Sequence, residues 1–168
     1  MNGGGPSDNR VGIEYVVISR GTCVLAEGVT SASGNANVVT LQVLSQLGDD
    51  QAAENTRSSY AQERHIFHML QAEGLIFLCM VNPKMSRASC FAFLTDIKEK
   101  FTKQWTREHH QNALAYTLNS QFGPVLQERM AYYSNHAEKA DKVAQVKHDM
   151  DNVKSMYVFI SLSFRVWI

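Results

Sequence analysis

The amino-acid sequence predicts an α/β (α+β) fold, in which an antiparallel sheet of about five strands is sandwiched by one helix and two helices. Two short runs rich in β-branched residues, 13–18 and 22–26, flank a Ser-Arg-Gly turn and indicate a hairpin. Residues 65–71 and 75–81 are further strand candidates, joined by Ala-Glu-Gly. Because hairpins pair neighbouring strands without crossover connections, the order of two strands, a helix, roughly three strands and two helices favours an antiparallel sheet.

Apolar residues spaced three or four apart predict where the helices lie. The first helix begins after Asn35, and the polar stretch 51–59 that follows it indicates a loop leading to Tyr60. A second helix is N-capped by Ser86 and continues to Trp105. The apolar residues of these two helices are Ala36, Val39, Val43 and Leu47 in the first and Phe91, Leu94, Ile97, Phe101 and Trp105 in the second.

A further helix is predicted from Ala113 to Tyr133. Its apolar residues include Leu118, Phe122 and Met130, again at helical spacing. Gly123-Pro124 lies inside this run, and a proline in a helix interior removes a hydrogen bond and clashes with the preceding turn. We therefore expect this helix to be kinked or divided.

Composition and charge limit the kinds of partner. In 168 residues, 45% are apolar, which is enough for one domain with a core plus tails. Sixteen basic and sixteen acidic residues give zero formal net charge, so no strong field attracts nucleic acid or anionic lipid. We expect the partners to be proteins.

The two ends of the sequence differ from the predicted domain. Residues 1–11 are mostly polar or glycine, have no apolar core like that of a secretory signal, and predict a flexible leader. Residues 157–168 are apolar but short and contain Arg165, whereas a membrane-spanning helix needs roughly twenty apolar residues. We expect no transmembrane segment in this sequence.

The residue types that usually act in catalysis or metal binding occur here without the spacing that such sites need. Cys23, Cys79 and Cys90 are odd in number and form no CxxC pair, which indicates a reducing compartment, and the last two are expected to be buried thiols rather than nucleophiles. The six histidines have no spacing typical of metal ligands, and the glycine at 21 is explained by a tight turn. Without a phosphate loop, paired carboxylates or a triad-like set, we expect no cofactor and no enzymatic activity.

Five short blocks, taken in order, carry a family resemblance. They are VISRGTCVLA at 17–26, HIFH at 65–68, IFLC at 76–79, FAFLTDI at 91–97 and ALAYTLNSQF at 113–122. Together they resemble the longin domain of vesicle-associated membrane proteins of the late-endosomal and vacuolar type. The resemblance implies a profilin-like domain over 12–136 without catalytic residues. It also implies a role in vesicle-mediated transport and membrane fusion, on the cytosolic face of endosomal, vacuolar or secretory vesicle membranes. Ser58 and Pro124 depart from the pattern, since relatives carry a larger apolar residue and a helix former there.

Residues 137–156 resemble the start of the SNARE coiled-coil motif. Apolar residues alternate at spacings of three and four, the seam of a coiled coil, and charges occupy the other positions. In the same register Trp167 falls where the family's central arginine would stand, and residues 157–168 are unlike a SNARE motif. We expect this sequence to be cut short within the motif and unable to support fusion. The predicted seam residues are Val143, Val146, Met150, Val153 and Tyr157.

The first predicted helix is apolar on a second side as well. Val38 and Leu41 lie away from its core face, and a helix packed on one sheet buries only one face. The alternative is that both are ordinary scattered surface residues. The resemblance implies a groove between this helix and the third strand, which we assign to Val38, Leu41 and Tyr60. It also implies that the chain's own SNARE segment, other SNARE proteins or trafficking adaptors occupy this groove.

Two functions follow from these patterns. The first is a regulatory or sorting module that binds adaptors or SNARE segments. The alternative is a free longin-type scaffold, resembling a subunit of an adaptor or tethering complex. The partial heptad pattern from Val143 to Val153 favours the first.

Overall fold

The computed structural model describes residues 12–47, 55–62 and 65–136. The strands are β1 (Ile13–Arg20), β2 (Cys23–Val29), β3 (Thr56–Gln62), β4 (His65–Ala72) and β5 (Leu75–Val81). The helices are α1 (Ala36–Leu47), α2 (Arg87–Gln104), α3 (Arg107–Asn112) and α4 (Asn119–Asn135). The predicted leader 1–11, the SNARE-like fragment 137–156 and the tail 157–168 lie outside the described residues.

The five strands form one antiparallel sheet in the order β2-β1-β5-β4-β3. Gly21, with φ of +57°, provides the left-handed conformation of the β1–β2 turn, which confirms the structural interpretation of that turn. Every residue of β5 is buried, because this strand lies in the middle of the sheet with helices over both faces. The predicted α+β architecture is confirmed.

Two apolar layers hold the helices on opposite faces of the sheet. On one face, Ala36, Val43 and Leu44 of α1 pack with Tyr15 and Val17 of β1. On the other face, α2 and α4 share a larger cluster, whose fully buried side chains include Phe77, Phe93, Leu94, Ile97, Phe101 and Phe122. Burial of each such side chain contributes on the order of 1.5–3 kcal/mol. Cys79 and Cys90 are buried in the second cluster, as predicted.

Gly28 allows α4 to approach β2. A Cβ placed on Gly28 would lie 2.5 Å from Sδ of Met130 and 2.8 Å from Cγ1 of Val16. Both atoms belong to buried side chains, so little space could open for it. The glycine therefore sets the distance between this helix and the sheet.

The predicted loop 51–59 was wrong in its second half. Residues 56–59 belong to β3, which pairs in register with β4 from Thr56↔Gln71 to Gln62↔His65. The run Thr-Arg-Ser-Ser lacks the apolar alternation that predicts a strand, and the backbone ladder with β4 supplies the order instead. The family resemblance implied a third strand at this place, and β3 is that strand.

The last predicted helix was also wrong in its extent. Residues 107–112 form the separate helix α3, and 113–118 connect it to α4, with turns at 115–118 in which Tyr116 has a φ of +61°. A left-handed residue interrupts a right-handed helix, so α4 begins only at Asn119. From there it is one helix through Pro124, rather than two. Proline at this position cannot donate to the carbonyl of Ser120, which belongs to the first turn of α4.

Candidate functional site

The outer face of α1 presents two adjacent apolar side chains. Val38 is 51% exposed and Leu41 is 43% exposed, while Val43 and Leu44 are buried against the sheet. Residues three apart lie side by side on a helix surface, so Val38 and Leu41 form a continuous ridge. Val38 and Leu41 therefore lie away from the core face of α1, as predicted, and within the described residues only the core face is covered. Their part in a groove stays a prediction.

Tyr60, the third predicted groove residue, lies deeper. It is 7% exposed and belongs to the cluster between α1 and the sheet. Its neighbour two residues back, Ser58, pairs with Met69 of the same cluster and is half-buried. Tyr60 thus contributes to the support beneath α1 more than to an exposed surface.

The strand that carries Tyr60 lies at one edge of the sheet. Within the part of the chain that the structure describes, β3 pairs with β4 alone. The other edge strand, β2, is covered, because the amide of Tyr116 donates to the carbonyl of Val24 at 2.7 Å. Asn119 Oδ1 also accepts from the amide of Glu27 at 2.9 Å. A strand at the edge of a sheet can accept an extended segment or lie beside a bound helix.

A buried polar network lies behind β3, on the face opposite α1. Nε of Arg87 donates to Oγ of Ser59 at 2.9 Å, and Oγ lies 2.8 Å from Nδ1 of His68. Ser59 and His68 face each other across the β3–β4 ladder, and both are at most 2% exposed. Burial, and secondarily the positive charge of Arg87, lowers the pKa of His68 to about 4.

Phe91, a residue of α2, packs against this network. The guanidinium of Arg87 lies 4.8 Å from the centroid of the Phe91 ring, and that of Arg57 lies 5.5 Å from it. The His68 ring meets Phe91 edge-on, with centroids 5.3 Å apart. The sequence alone did not indicate that these residues meet, because they come from three separate elements. Aligning the β3–β4 hairpin would have placed Ser59 opposite His68, and this is the one pairing in the group that the sequence could have indicated.

The Ser59–His68 pair resembles a nucleophile with its base, but both side chains are closed off from solvent. No group of three His, Cys, Asp or Glu in the described ranges could hold a metal ion. The described helices likewise include none with the length and apolar character needed to cross a bilayer.

The predicted coiled-coil seam cannot be placed on this framework. Val143, Val146, Met150, Val153 and Tyr157 all lie outside the described residues. The structure therefore places Val38 and Leu41 on α1 and Tyr60 on β3, and it tests neither the groove nor the seam.

Comparisons with known proteins agree with this architecture. A family model for the longin family, described as a regulated-SNARE-like domain, matches residues 25–126. Vesicle-associated membrane protein 711 of Arabidopsis thaliana is 36% identical over 146 residues, covering 87% of this chain and 64% of that protein. Vesicle-associated membrane protein 7B of Dictyostelium discoideum is 34% identical, with 87% and 54% covered.

A vertebrate relative gives the same result. Vesicle-associated membrane protein 7 of Gallus gallus is 31% identical over 146 residues, covering 87% of this chain and 63% of that protein. The chain spans less than two thirds of the length of each of these three relatives. Since the family model matches more than half of the sequence and the fold is a five-stranded antiparallel sheet between helices, the chain belongs to the longin family.

Proposed function

We propose that this longin domain is a protein-recognition module of vesicle-mediated transport, which binds a SNARE-type amphipathic segment on the outer face of α1. In this role the chain regulates or sorts SNARE proteins and their adaptors on the cytosolic face of endosomal, vacuolar or secretory vesicle membranes, and it performs no catalysis. The names of the three relatives described above, each a vesicle-associated membrane protein, support the cellular setting.

The exposed ridge of Val38 and Leu41 is the observation that carries the proposal. Leucine and valine at about half exposure, side by side on one helix, offer an apolar strip that water solvates poorly. An amphipathic segment recognises such a strip through apolar residues spaced three and four apart. Partner side chains would contact Val38 and Leu41 directly, with Tyr60 as a buried support.

The chain itself contains a segment with the right pattern. Val143, Val146, Met150 and Val153 alternate at spacings of three and four. The side chains of this stripe are suited to contact the ridge of Val38 and Leu41, because both surfaces are apolar and uncharged. We take this segment as the first occupant to test, and SNARE motifs of other chains would compete for the same face.

Binding can be measured with the 168-residue chain carrying Val146→Asp and Met150→Asp. These two changes disable its own seam, so that the internal segment does not compete with the probe. The probe is a fluorescein-labelled peptide with the natural sequence of residues 137–157, followed by fluorescence anisotropy. Adding Leu41→Asp to this background should weaken binding by at least about tenfold, because a charge then faces the apolar stripe.

Leu114→Asp is the matched control, since Leu114 is 74% exposed and lies between α3 and α4. It should leave the affinity unchanged. Both substitutions are at exposed positions, so each should change the free energy of unfolding by only about 0.5 kcal/mol. No binding to the background chain, or equal loss from both leucine variants, would overturn the proposal.

A further inference from the structure

The hydrogen bonds behind β3 have a defined direction. An arginine Nε–H can only donate, so Ser59 Oγ accepts from Arg87. The remaining Ser59 hydrogen then has Nδ1 of His68, 2.8 Å away, as its acceptor. With Nδ1 as the acceptor, His68 is neutral and carries its proton on Nε2. The reverse arrangement, with an Nδ1–H donating to the second lone pair of Ser59 Oγ, would leave the Ser59 hydrogen without an acceptor among the described residues.

The hydrogen-bond relay Arg87→Ser59→His68 connects one face of β3 to α2. The opposite face of the same strand supports α1. Arg57 and Ser59 point toward α2, and Tyr60, the next residue, packs in the cluster beneath α1. Successive strand residues alternate between faces, so any shift of Ser59 also shifts Tyr60. Within the described residues β3 pairs with β4 on one side only, so the contacts of β3 with the helices add to that ladder in fixing its position.

We propose that Ser59 is a positioning residue for the α1 surface: the relay Arg87→Ser59→His68 holds the edge strand where its opposite face supports a bound segment. This inference rests on the proposed function, because it concerns how that surface is held. Ser59 does not contact the bound segment itself, because it is 1% exposed and lies on the far side of the sheet from Val38 and Leu41. Its influence on binding passes through the strand backbone and Tyr60.

Three variants in the Val146→Asp, Met150→Asp background test the relay with the same 137–157 peptide. Ser59→Ala removes the hydroxyl and should weaken binding on the order of three- to tenfold. Ser59→Thr keeps the hydroxyl and should restore affinity to near that of the background chain. Ser19→Ala is the control, because Ser19 is also fully buried in a strand and its Oγ has no hydrogen-bond partner among the described residues.

A spectroscopic readout separates the relay from a loss of folding. Long-range ¹H–¹⁵N correlation of the His68 ring in the background chain should show an unprotonated Nδ1 and a protonated Nε2, and Ser59→Ala should move the Nδ1 shift while the chain remains folded. A protonated Nδ1 would overturn the relay, as would equal affinities of Ser59→Ala and Ser19→Ala for the peptide. If the background chain does not bind the peptide, the proposed function fails and the positioning role fails with it, whereas the ring shifts still report whether the hydrogen-bond order exists.

Discussion

Arg20 closes the C-terminal end of α3: its Nη1 donates to the carbonyl oxygen of His110 at 2.6 Å. The same nitrogen reaches the carbonyl of Ala113 at 3.0 Å. One side chain from the β1–β2 hairpin thereby satisfies two carbonyl groups that a six-residue helix leaves without internal partners. The positive charge also lies favourably at the negative end of the helix.

Arg20→Ala should therefore destabilise the domain by about 1.5–3 kcal/mol, the range for hydrogen bonds to a charged group. Urea denaturation followed by circular dichroism measures this. Lys103→Ala, at an exposed position in the last turn of α2, is the comparison and should change stability by less than about 0.5 kcal/mol. Equal effects of the two substitutions would show that the Arg20 contacts do not contribute.

His68 should make stability depend on pH. Its pKa of about 4 in the folded chain lies below its ordinary value of 6.5, so the unfolded chain takes up the proton first. The stabilisation of the folded chain by neutral His68 is fully present above pH 6.5 and is lost as the pH falls from 6.5 toward 4. The loss should be on the order of 2–3 kcal/mol. His68→Gln should flatten the stability curve in this window, and an unchanged slope would contradict the role assigned to burial.

Gly28 should resist substitution for steric reasons. Gly28→Ala places a methyl group against Sδ of Met130 and Cγ1 of Val16, both in the core. Overpacking of this kind costs about 1–3 kcal/mol. Val29→Ala, at the exposed next position, should cost much less in the same thermal unfolding experiment. A Gly28→Ala variant as stable as the natural chain would mean that α4 can move away from β2 freely.

Residues 12–136 are expected to fold without the segment that follows. Among the described residues, both apolar clusters lie between Ile13 and Tyr133, and the amide of Ile13 donates to Oγ of Ser134 at 3.0 Å, which ties the end of α4 to β1. Deleting everything after Ala137 should therefore leave a single cooperative thermal transition. A broad, non-cooperative transition would show that the later residues complete the core.

The sequence predicted the architecture well where apolar periodicity was strong. The buried strand β5 and the regularly spaced apolar face of α2 were found from pattern alone. The start of β3 was missed because Thr56 to Ser59 are ordered by the ladder with β4 and by Arg87, not by their own propensity. The break before α4 was missed because nothing in the sequence reveals that Tyr116 is left-handed.

The candidate site was predictable only in part. Val38 and Leu41 were identified because their positions disagree with a single buried helix face, which is a local pattern. The burial of Tyr60 and the Arg87–Ser59–His68 relay depend on strand register and on the packing of α2, which are properties of the folded chain. Spacing along the sequence carries no signal for such contacts.

Mapping the bound peptide by NMR tests the central claim most directly. The ¹⁵N-labelled 168-residue chain with Val146→Asp and Met150→Asp is titrated with the unlabelled 137–157 peptide, and amide shifts are followed residue by residue. The proposal predicts that the largest shifts fall on α1 around Val38 and Leu41 and on β3 around Tyr60. Shifts concentrated instead on the 113–118 turns and α4, with α1 and β3 unchanged, would contradict it.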